Sequence, residues 1–159
     1  MKKIYTAGFD VFHPDGRAHM EALHALCRKY GFEPEPLGVP KPGMPKVSGP
    51  DGFFEKDIEM LDDCDIVAAN LNSFRGFEMD CGTAFELGYA YARGKKLYGY
   101  MSDTRPVAER YGCLTDENGF RVENYGLPIN LMIGCSVQIV EGTLEDCLRV
   151  IAARELKDE

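Results

Sequence analysis

Two carboxylates six residues apart, Asp80 and Glu86, have the residue types and spacing for acid and nucleophile chemistry. Asp80 lies just before a predicted helix, and Glu86 falls within its second turn, between the apolar residues Phe85 and Leu87. A carboxylate there is unusual for a helix that packs on a sheet, because burying it ionised and unpaired is strongly unfavourable. Glu86 therefore either faces solvent, as most acidic residues do, or is retained for chemistry.

A third carboxylate, Asp57, lies on the preceding predicted helix, which leads directly into a buried strand. Taken alone, Asp57 has the position of a solvated helix charge. Several carboxylates in one cleft indicate glycosyl chemistry, in which one attacks an anomeric carbon and another protonates the departing group. Tyr5, at the end of the first predicted strand, would hydrogen-bond the attacking carboxylate, or would be a core aromatic residue with a satisfied hydroxyl.

Alternating strand and helix patterns supply the elements that position these residues. β-rich apolar runs predict strands at 3–8, 32–36, 65–71, 96–101 and 136–140. Capping residues and helical spacing predict four helices. The first is capped by Asp15 and ends at Gly31, and the second begins at Asp51. The third spans 82–94 and the fourth 144–153. A short helical turn is predicted at 128–133. Segments 37–50 and 102–127 are predicted to be irregular, and the proline-rich first one is long enough to be functional.

This alternation predicts an α/β fold, a flavodoxin-like three-layer sandwich with a five-stranded parallel sheet of order 2-1-3-4-5. Residues 1–159 are expected to form one domain. Ligands in such folds bind beyond the carboxyl ends of the strands, near the switch point between the first and third strands. The rule selects the loops after Gly8, Leu71 and Met101.

Composition and charge exclude several classes of function. The net charge is −8 and the pI is about 4.9, so there is no basic surface for nucleic acid and no electrostatic attraction to acidic membranes. No apolar run is long enough to span a bilayer, and the N-terminus has no apolar signal region. Cytoplasmic localisation is therefore expected.

Metal, disulfide and cofactor motifs are also missing from the sequence. The six cysteines form no C-x-x-C and no zinc spacing with histidine, so most are expected to be buried thiols. His19 and His24 are interpreted as surface residues of the first helix. The dinucleotide, P-loop and nucleophile-elbow fingerprints are absent.

Four segments in order give the chain a specific resemblance. They are K-I-Y-T-A-G followed by V-F-H-P-D, the run D-I-E-M-L-D-D-C-D-I-V-A-A-N-L from Asp57, S-F-R-G-F-E-M-D-C-G-T-A-F-E-L-G-Y-A at 73–90, and Y-G-L-P-I-N-L-M at 125–132. Together they resemble the nucleoside 2-deoxyribosyltransferases. Many members have proline after A-G, where this chain has Phe9, so base preference stays open.

The resemblance implies transfer of a 2-deoxyribosyl group from a 2′-deoxynucleoside to a free purine or pyrimidine base, with retention and without metal or cofactor. Glu86 matches the nucleophile, Tyr5 the residue that orients it, and Asp80 and Asp57 the carboxylates at the base. Asn130 and Met132 match residues supplied by a neighbouring subunit, which implies a homodimer or hexamer with shared active sites. Asn130 would otherwise cap a local turn. Gly82 and Phe12 complete the expected substrate-binding residues. Phe12 or Phe9 would stack on the base, or would anchor the core or a loop.

Two alternatives remain open at this stage. An N-glycosidase of deoxynucleosides or their 5′-monophosphates would share the fold and the glutamate but pass the sugar to water, and it would need additional donors for a 5′-phosphate. Asn130 and its P-I-N-L-M segment favour a free 5′-hydroxyl instead. A non-catalytic nucleotide-sensing module would have no need for Glu86 in an apolar helix beside Asp80.

Overall fold

Five parallel strands form the central sheet of the computed structural model, which describes residues 1–37 and 49–156. The strands are β1 (Lys3–Ala7), β2 (Glu33–Pro34), β3 (Ile66–Asn70), β4 (Lys96–Met101) and β5 (Gln138–Glu141). Their order is β2-β1-β3-β4-β5, and every pairing is parallel. The predicted fold class and strand order are confirmed.

Helices cover both faces of this sheet. They are α1 (Gly16–Lys29), α2 (Gly49–Asp63), α3 (Cys81–Ala92), α4 (Val107–Tyr111), α5 (Leu131–Gly134) and α6 (Leu144–Glu155). Leu61 of α2 and Leu87 of α3 belong to the core on one face, and Cys27 of α1 and Leu148 of α6 to the core on the other. The central strand β3 is buried along its whole length because both faces are covered.

Several local predictions need correction. The segment predicted to be irregular at 102–127 contains α4, whose apolar residues Val107 and Ala108 are buried. Asp15 occupies the N-cap position of α1, but its side chain makes no capping hydrogen bond. The predicted loop at 37–50 falls mainly on residues 38–48, which lie outside the described part, and Gly49 and Pro50 already belong to α2.

The cysteine prediction is wrong for half of the cysteines. Cys27, Cys64 and Cys147 are buried, whereas Cys81, Cys113 and Cys135 are exposed. The first three lie on core-facing positions of helices or at the end of α2, and the others lie at a helix start or in loops, where no core covers them. None of the helices in the described ranges has the length and apolar character needed to cross a bilayer.

Hydrogen bonds tie the loops together at the carboxyl edge of the sheet. Asn70, at the end of β3, donates from Nδ2 to Asp10 Oδ2 at 2.8 Å and accepts at Oδ1 from Asn72 Nδ2 at 2.8 Å. Asn72 Oδ1 in turn accepts from the backbone of Ser102 at 2.9 Å. A Cβ at Gly8 would lie 2.8 Å from Asn70 Cβ, so this close approach requires glycine. These hydrogen bonds therefore connect the loops after β1, β3 and β4 to one another.

Candidate active site

A cavity of about 290 Å³ opens at this edge, between the ends of β1 and β2 and helices α1, α2 and α3. Six of the eight residues selected from the sequence line it: Tyr5, Phe12, Asp57, Asp80, Gly82 and Glu86. The cavity lies at the predicted switch point between β1 and β3, where parallel α/β sheets bind ligands. The fold thus brings together residues that are up to 81 positions apart in the chain.

Glu86 and Tyr5 form the central pair of the cavity. Helix α3 presents the Glu86 carboxylate from its second turn, and Tyr5 Oη donates to Glu86 Oε1 at 2.6 Å. Burial raises the pKa of Glu86 to about 7, the Tyr5 hydrogen bond opposes that rise, and the charges of Asp57, Asp80 and Glu35 add to it. Burial, followed by the Glu86 charge, raises the pKa of Tyr5, so the phenol stays protonated and remains a donor.

Asp80 has a structural role as well as a place in the cavity. It is the N-cap of α3, and its Oδ2 accepts from the Thr83 backbone N–H at 2.9 Å and from Thr83 Oγ1 at 3.0 Å. A side chain at Gly82 would place its Cβ 3.1 Å from Asp80 Oδ2, so glycine keeps this carboxylate unobstructed. The capping bonds use Oδ2, which leaves Oδ1 for a ligand.

Asp57 lies on α2 and is partly buried at the cavity wall. Burial raises its pKa, and the charge of Glu35 acts in the same direction while nearby Lys56 opposes it. A raised pKa favours the protonated form of a carboxyl group, which is the form that can donate a proton. Asp57 therefore has the character of an acid within the cavity.

Four further polar residues line the cavity that were not selected from the sequence: Thr6, His24, Glu35 and Thr83. Glu35 Oε1 accepts from Thr6 Oγ1 at 2.5 Å and lies 3.1 Å from His24 Nε2, and Glu35 Oε2 accepts from the Thr6 backbone N–H at 3.1 Å. His24 is 2% exposed, so its interpretation as a surface residue is wrong. Glu35 directly follows β2 at the carboxyl edge of the sheet, but the predicted strand extended to residue 36, so the sequence did not mark this position as lying at the edge.

Aromatic side chains cluster at one side of the cavity. Phe74 stacks on Phe9 with ring centroids 4.7 Å apart and on Phe12 at 5.6 Å. The Arg75 guanidinium lies over Phe12 at 5.0 Å and over Phe74 at 4.6 Å. Phe12 lines the cavity, whereas Phe9 is not among the lining residues. Of the two phenylalanines considered for stacking on a base, Phe12 is therefore the one in position.

Asn130 and Met132 do not line this cavity. They line a second cavity of about 600 Å³, together with residues of α3 and α4. Asn130 caps α5 by accepting from the Met132 backbone N–H at 3.0 Å, and its Nδ2 donates to Glu123 Oε1 at 2.7 Å. The amide oxygen has a second lone pair and the amide nitrogen has a second N–H, and both remain available for a ligand. Met132 is 72% exposed.

The arrangement is suited to chemistry at an electron-poor carbon. Glu86 lines the cavity together with three further carboxylates, those of Asp57, Asp80 and Glu35, and clustered negative charges of this kind are suited to stabilising a positive charge. Within residues 1–37 and 49–156, no group of three or more His, Cys, Asp or Glu side chains has the geometry to hold a metal ion.

The fold and the cavity define an α/β sandwich with an acidic site at the carboxyl edge of its sheet, built around a phenol–carboxylate pair. Residues 4–132 match the family model of the nucleoside 2-deoxyribosyltransferases. The chain belongs to the nucleoside 2-deoxyribosyltransferase family. The match contains all eight of the residues selected from the sequence.

Solved structures agree with this assignment. The chain is 38% identical to a 2-deoxyribosyltransferase from Leishmania mexicana, with a TM-score of 0.83 over 98% of this chain and 99% of that one. A 2-deoxyribosyltransferase from Bacillus psychrosaccharolyticus is 20% identical, with a TM-score of 0.59 over 96% and 92% of the two chains. The CMP N-glycosidase BcmB of Clostridium botulinum is 16% identical, with a TM-score of 0.53 over 96% and 99%. The last two similarities show the fold alone.

A curated relative extends beyond the matched region. The chain is 31% identical over 121 residues to an uncharacterized protein of Schizosaccharomyces pombe. The match covers 67% of this chain and 53% of that protein, so it spans about half the length of the curated relative.

Proposed function

We propose that this protein transfers the 2-deoxyribosyl group of a 2′-deoxynucleoside to another purine or pyrimidine base through a covalent intermediate on Glu86. The observation that supports it most strongly is the Tyr5–Glu86 pair in an acidic cavity large enough for a sugar. Membership of the family and the similarity to the Leishmania mexicana enzyme support the same substrate class.

In the first step, a carboxylate oxygen of Glu86 attacks C1′ and the bond between C1′ and the base nitrogen breaks. Because Tyr5 occupies Oε1, we assign the attack to Oε2. The bonding pair leaves with the base, which takes a proton, and the sugar remains as a glycosyl ester. In the second step, a nitrogen of the incoming base attacks C1′ from the opposite side, loses its proton and releases the Glu86 carboxylate. Two inversions give net retention.

The electrostatics of the cavity support this sequence of steps. The sugar passes through an oxocarbenium-like transition state, which the surrounding carboxylates stabilise. A sugar without a 2′-hydroxyl ionises more readily, so a carboxylate nucleophile suffices. The nucleophile must be ionised, and a pKa of about 7 makes the ionised form of Glu86 abundant only at neutral pH and above.

The two aspartates take different parts in this proposal. Asp57, whose pKa burial raises, is the better donor of the proton that the leaving base takes, and it recovers a proton from the incoming base. Asp80, held by its capping bonds to Thr83, presents Oδ1 to a donor on the base and fixes the orientation of the ring. Phe12 supplies one stacking face for that ring.

The proposal includes a site shared between two copies of the chain. Asn130 and exposed Met132 lie outside the cavity of their own chain, and the amide of Asn130 retains a donor and an acceptor suited to a sugar hydroxyl. A two-fold dimer, the commonest assembly of soluble proteins, would carry these side chains to the partner's cavity. A hexamer built from such dimers would preserve the same arrangement.

A product assay tests the proposed function. Purified protein is incubated with deoxyinosine and adenine, with and without cytosine, and the products are separated by chromatography. Transfer gives deoxyadenosine and hypoxanthine, whereas hydrolysis gives hypoxanthine and free deoxyribose. Glu86→Ala should reduce either reaction by about 10³-fold. Release of hypoxanthine with no new nucleoside, at any concentration of acceptor base, would contradict the transferase function.

One observation favours an N-glycosidase as a second candidate. The Arg75 guanidinium lies over Phe12, which lines the cavity, and a guanidinium is a suitable donor for a 5′-phosphate. Comparing deoxyadenosine with its 5′-monophosphate, in wild type and Arg75→Gln, distinguishes the two candidates. A strong preference for the monophosphate that Arg75→Gln abolishes would support the glycosidase. A complete lack of turnover with both substrates would instead favour a nucleotide-sensing module.

A further inference from the structure

Glu35 joins the cavity to the backbone of β1. It accepts both the backbone N–H and the hydroxyl of Thr6, which follows Tyr5 in the strand. The Thr6 N–H belongs to the peptide that links these two residues, so Glu35 fixes the backbone from which the Tyr5 ring projects. Any rotation of that peptide would displace the phenol that holds Glu86.

Glu35 is also nearly inaccessible to water, with a side chain 8% exposed beside His24 at 2%. A purely structural acceptor at this place need not carry a charge, and a buried charge close to other carboxylates is unfavourable. His24 is the basic side chain among the described residues that line the cavity. With a proton on Nε2, it donates to Glu35 across 3.1 Å and holds the carboxylate in place.

The groups around Glu35 come from four elements. Strand β1 contributes Tyr5 and Thr6, and helix α1 contributes His24 and Cys27. Asp57 lies on α2 and Cys64 directly after it, and Glu86 lies on α3. Arg28 of α1 adds a positive charge near Cys27. Among these groups, Thr6 and His24 are the two whose polar atoms lie within hydrogen-bond distance of the Glu35 carboxylate.

We propose that Glu35 is a positioning residue for the reaction, acting through Tyr5 and Glu86: it fixes the end of β1 and keeps a negative charge, held by His24, beside the nucleophile. The proposal rests on the function proposed above. The charge disfavours ionisation of Glu86 in the empty enzyme and stabilises the positive sugar once the C1′–base bond breaks. Glu35 therefore promotes the transition state through its charge and through its hydrogen bonds to the end of β1.

The negative charge of Glu35 determines the direction in which the pKa of Glu86 shifts. Glu35 is one of the carboxylates that raise the pKa of Glu86. Glu35→Gln keeps an oxygen that accepts from Thr6 but removes the charge, so the pKa of Glu86 should fall. The acid limb of the kcat/KM profile should move to lower pH in the same variant, and kcat should fall by about 10-fold while KM changes little.

The test is a direct titration of the Glu86 carboxyl by ¹³C NMR on protein labelled at the glutamate side-chain carboxyl carbon. Glu86→Gln assigns the resonance by its loss. The matched control is Glu33→Gln, because Glu33 is exposed on β2 two residues before Glu35. We expect the midpoint to fall by about half a pH unit or more in Glu35→Gln and to stay unchanged in Glu33→Gln. An unchanged midpoint in folded Glu35→Gln would overturn the proposal.

Variants of His24 keep the proposal testable if Glu35→Gln does not fold. His24→Gln retains an amide donor toward Glu35, and His24→Leu has none. The kcat of His24→Gln should exceed that of His24→Leu by about 10-fold, and equal kcat values in the two variants would overturn the proposal. The titration needs no substrate, so it is independent of the proposed function. If the protein forms no transfer product, the proposed function is refuted, but a shifted Glu86 midpoint still establishes the coupling between Glu35 and Glu86.

Discussion

Tyr5 Oη donates a 2.6 Å hydrogen bond to Glu86 Oε1 and so connects the end of β1 to the second turn of α3. The two residues are 81 positions apart, and they meet because β1 and β3 are neighbours in the sheet and α3 follows β3. The bond engages Oε1 and leaves Oε2 as the oxygen to which we assign the attack, and it opposes the rise in the pKa of Glu86 that burial causes.

Tyr5→Phe removes this bond while keeping the ring. Because the bond stabilises the ionised carboxylate, the pKa of Glu86 should rise above 7, and the acid limb of kcat/KM should move to higher pH. The plateau value should fall by roughly 10- to 100-fold as the nucleophile loses its orientation. Steady-state rates of transfer measured from pH 5 to 9 check this. An acid limb that stays in place, or that moves to lower pH, would show that Tyr5 does not control the ionisation of Glu86.

Asp57→Asn should slow substrates with poor leaving groups much more than substrates whose base departs without protonation. An acid that protonates the base contributes only where the base needs the proton. The measurement is the ratio of kcat/KM for deoxyadenosine to that for a deoxynucleoside of an acidic, activated base, in wild type and variant. Asp80→Asn is the matched control, because asparagine also caps helices well. Equal slowing of both substrates in Asp57→Asn would leave Asp57 a positioning role only.

The effect of Glu86 on stability should depend on pH. Its pKa is about 7 in the folded protein against an ordinary 4.5, so between these values the folded state binds more protons than the unfolded state and stability falls as pH rises. Glu86→Gln escapes this loss and should be more stable than wild type at pH 8 by on the order of 2 kcal/mol. Urea unfolding at pH 4, 6 and 8 measures the difference, with exposed Glu117→Gln as control. Curves for wild type and Glu86→Gln that run parallel across this range would refute a raised pKa at Glu86.

Complementation tests the shared site. Glu86→Ala and Asn130→Ala should each be nearly inactive, and mixed oligomers formed by refolding them together should regain activity, because some interfaces then pair a native Glu86 with the partner's native Asn130. Differential tags establish that mixed oligomers form. Asn118→Ala, an exposed asparagine of the same segment, is the control and should be active alone. Mixed oligomers that remain as inactive as the separate variants would exclude a shared site.

The strand order and six of the residues that line the cavity could be predicted from the sequence, partly from local patterns and partly from the family resemblance. The run around β3 is apolar throughout, as a strand covered on both faces must be, and alternation with helices then restricts the topology. Glu86 stood out because its neighbour Leu87 is a core residue. The Tyr5–Glu86 hydrogen bond expected from the sequence is present, whereas the catalytic roles of the two residues remain proposals.

Glu35 and His24 could not be found in the same way. Strand β2 has only two residues, one of them proline, so its carboxyl edge gives almost no periodic signal. His24 lies on an amphipathic helix, and only the position of Glu35 across the turn shows which face of that helix is covered. Buried polar pairs of this kind depend on tertiary packing, which the spacing of residues within one element does not encode.

The central claim is that Glu86 is the covalent nucleophile, and trapping the intermediate tests it most directly. A 2-fluoro-2-deoxy-arabinosyl nucleoside forms the glycosyl ester but releases it slowly, because the fluorine destabilises the positive transition state of the second step. After incubation and proteolysis, peptide mass analysis should find the fluorinated sugar on the peptide containing Glu86, and none on Glu86→Gln. A label on Asp57, Asp80 or Glu35 in the wild-type protein would contradict the account.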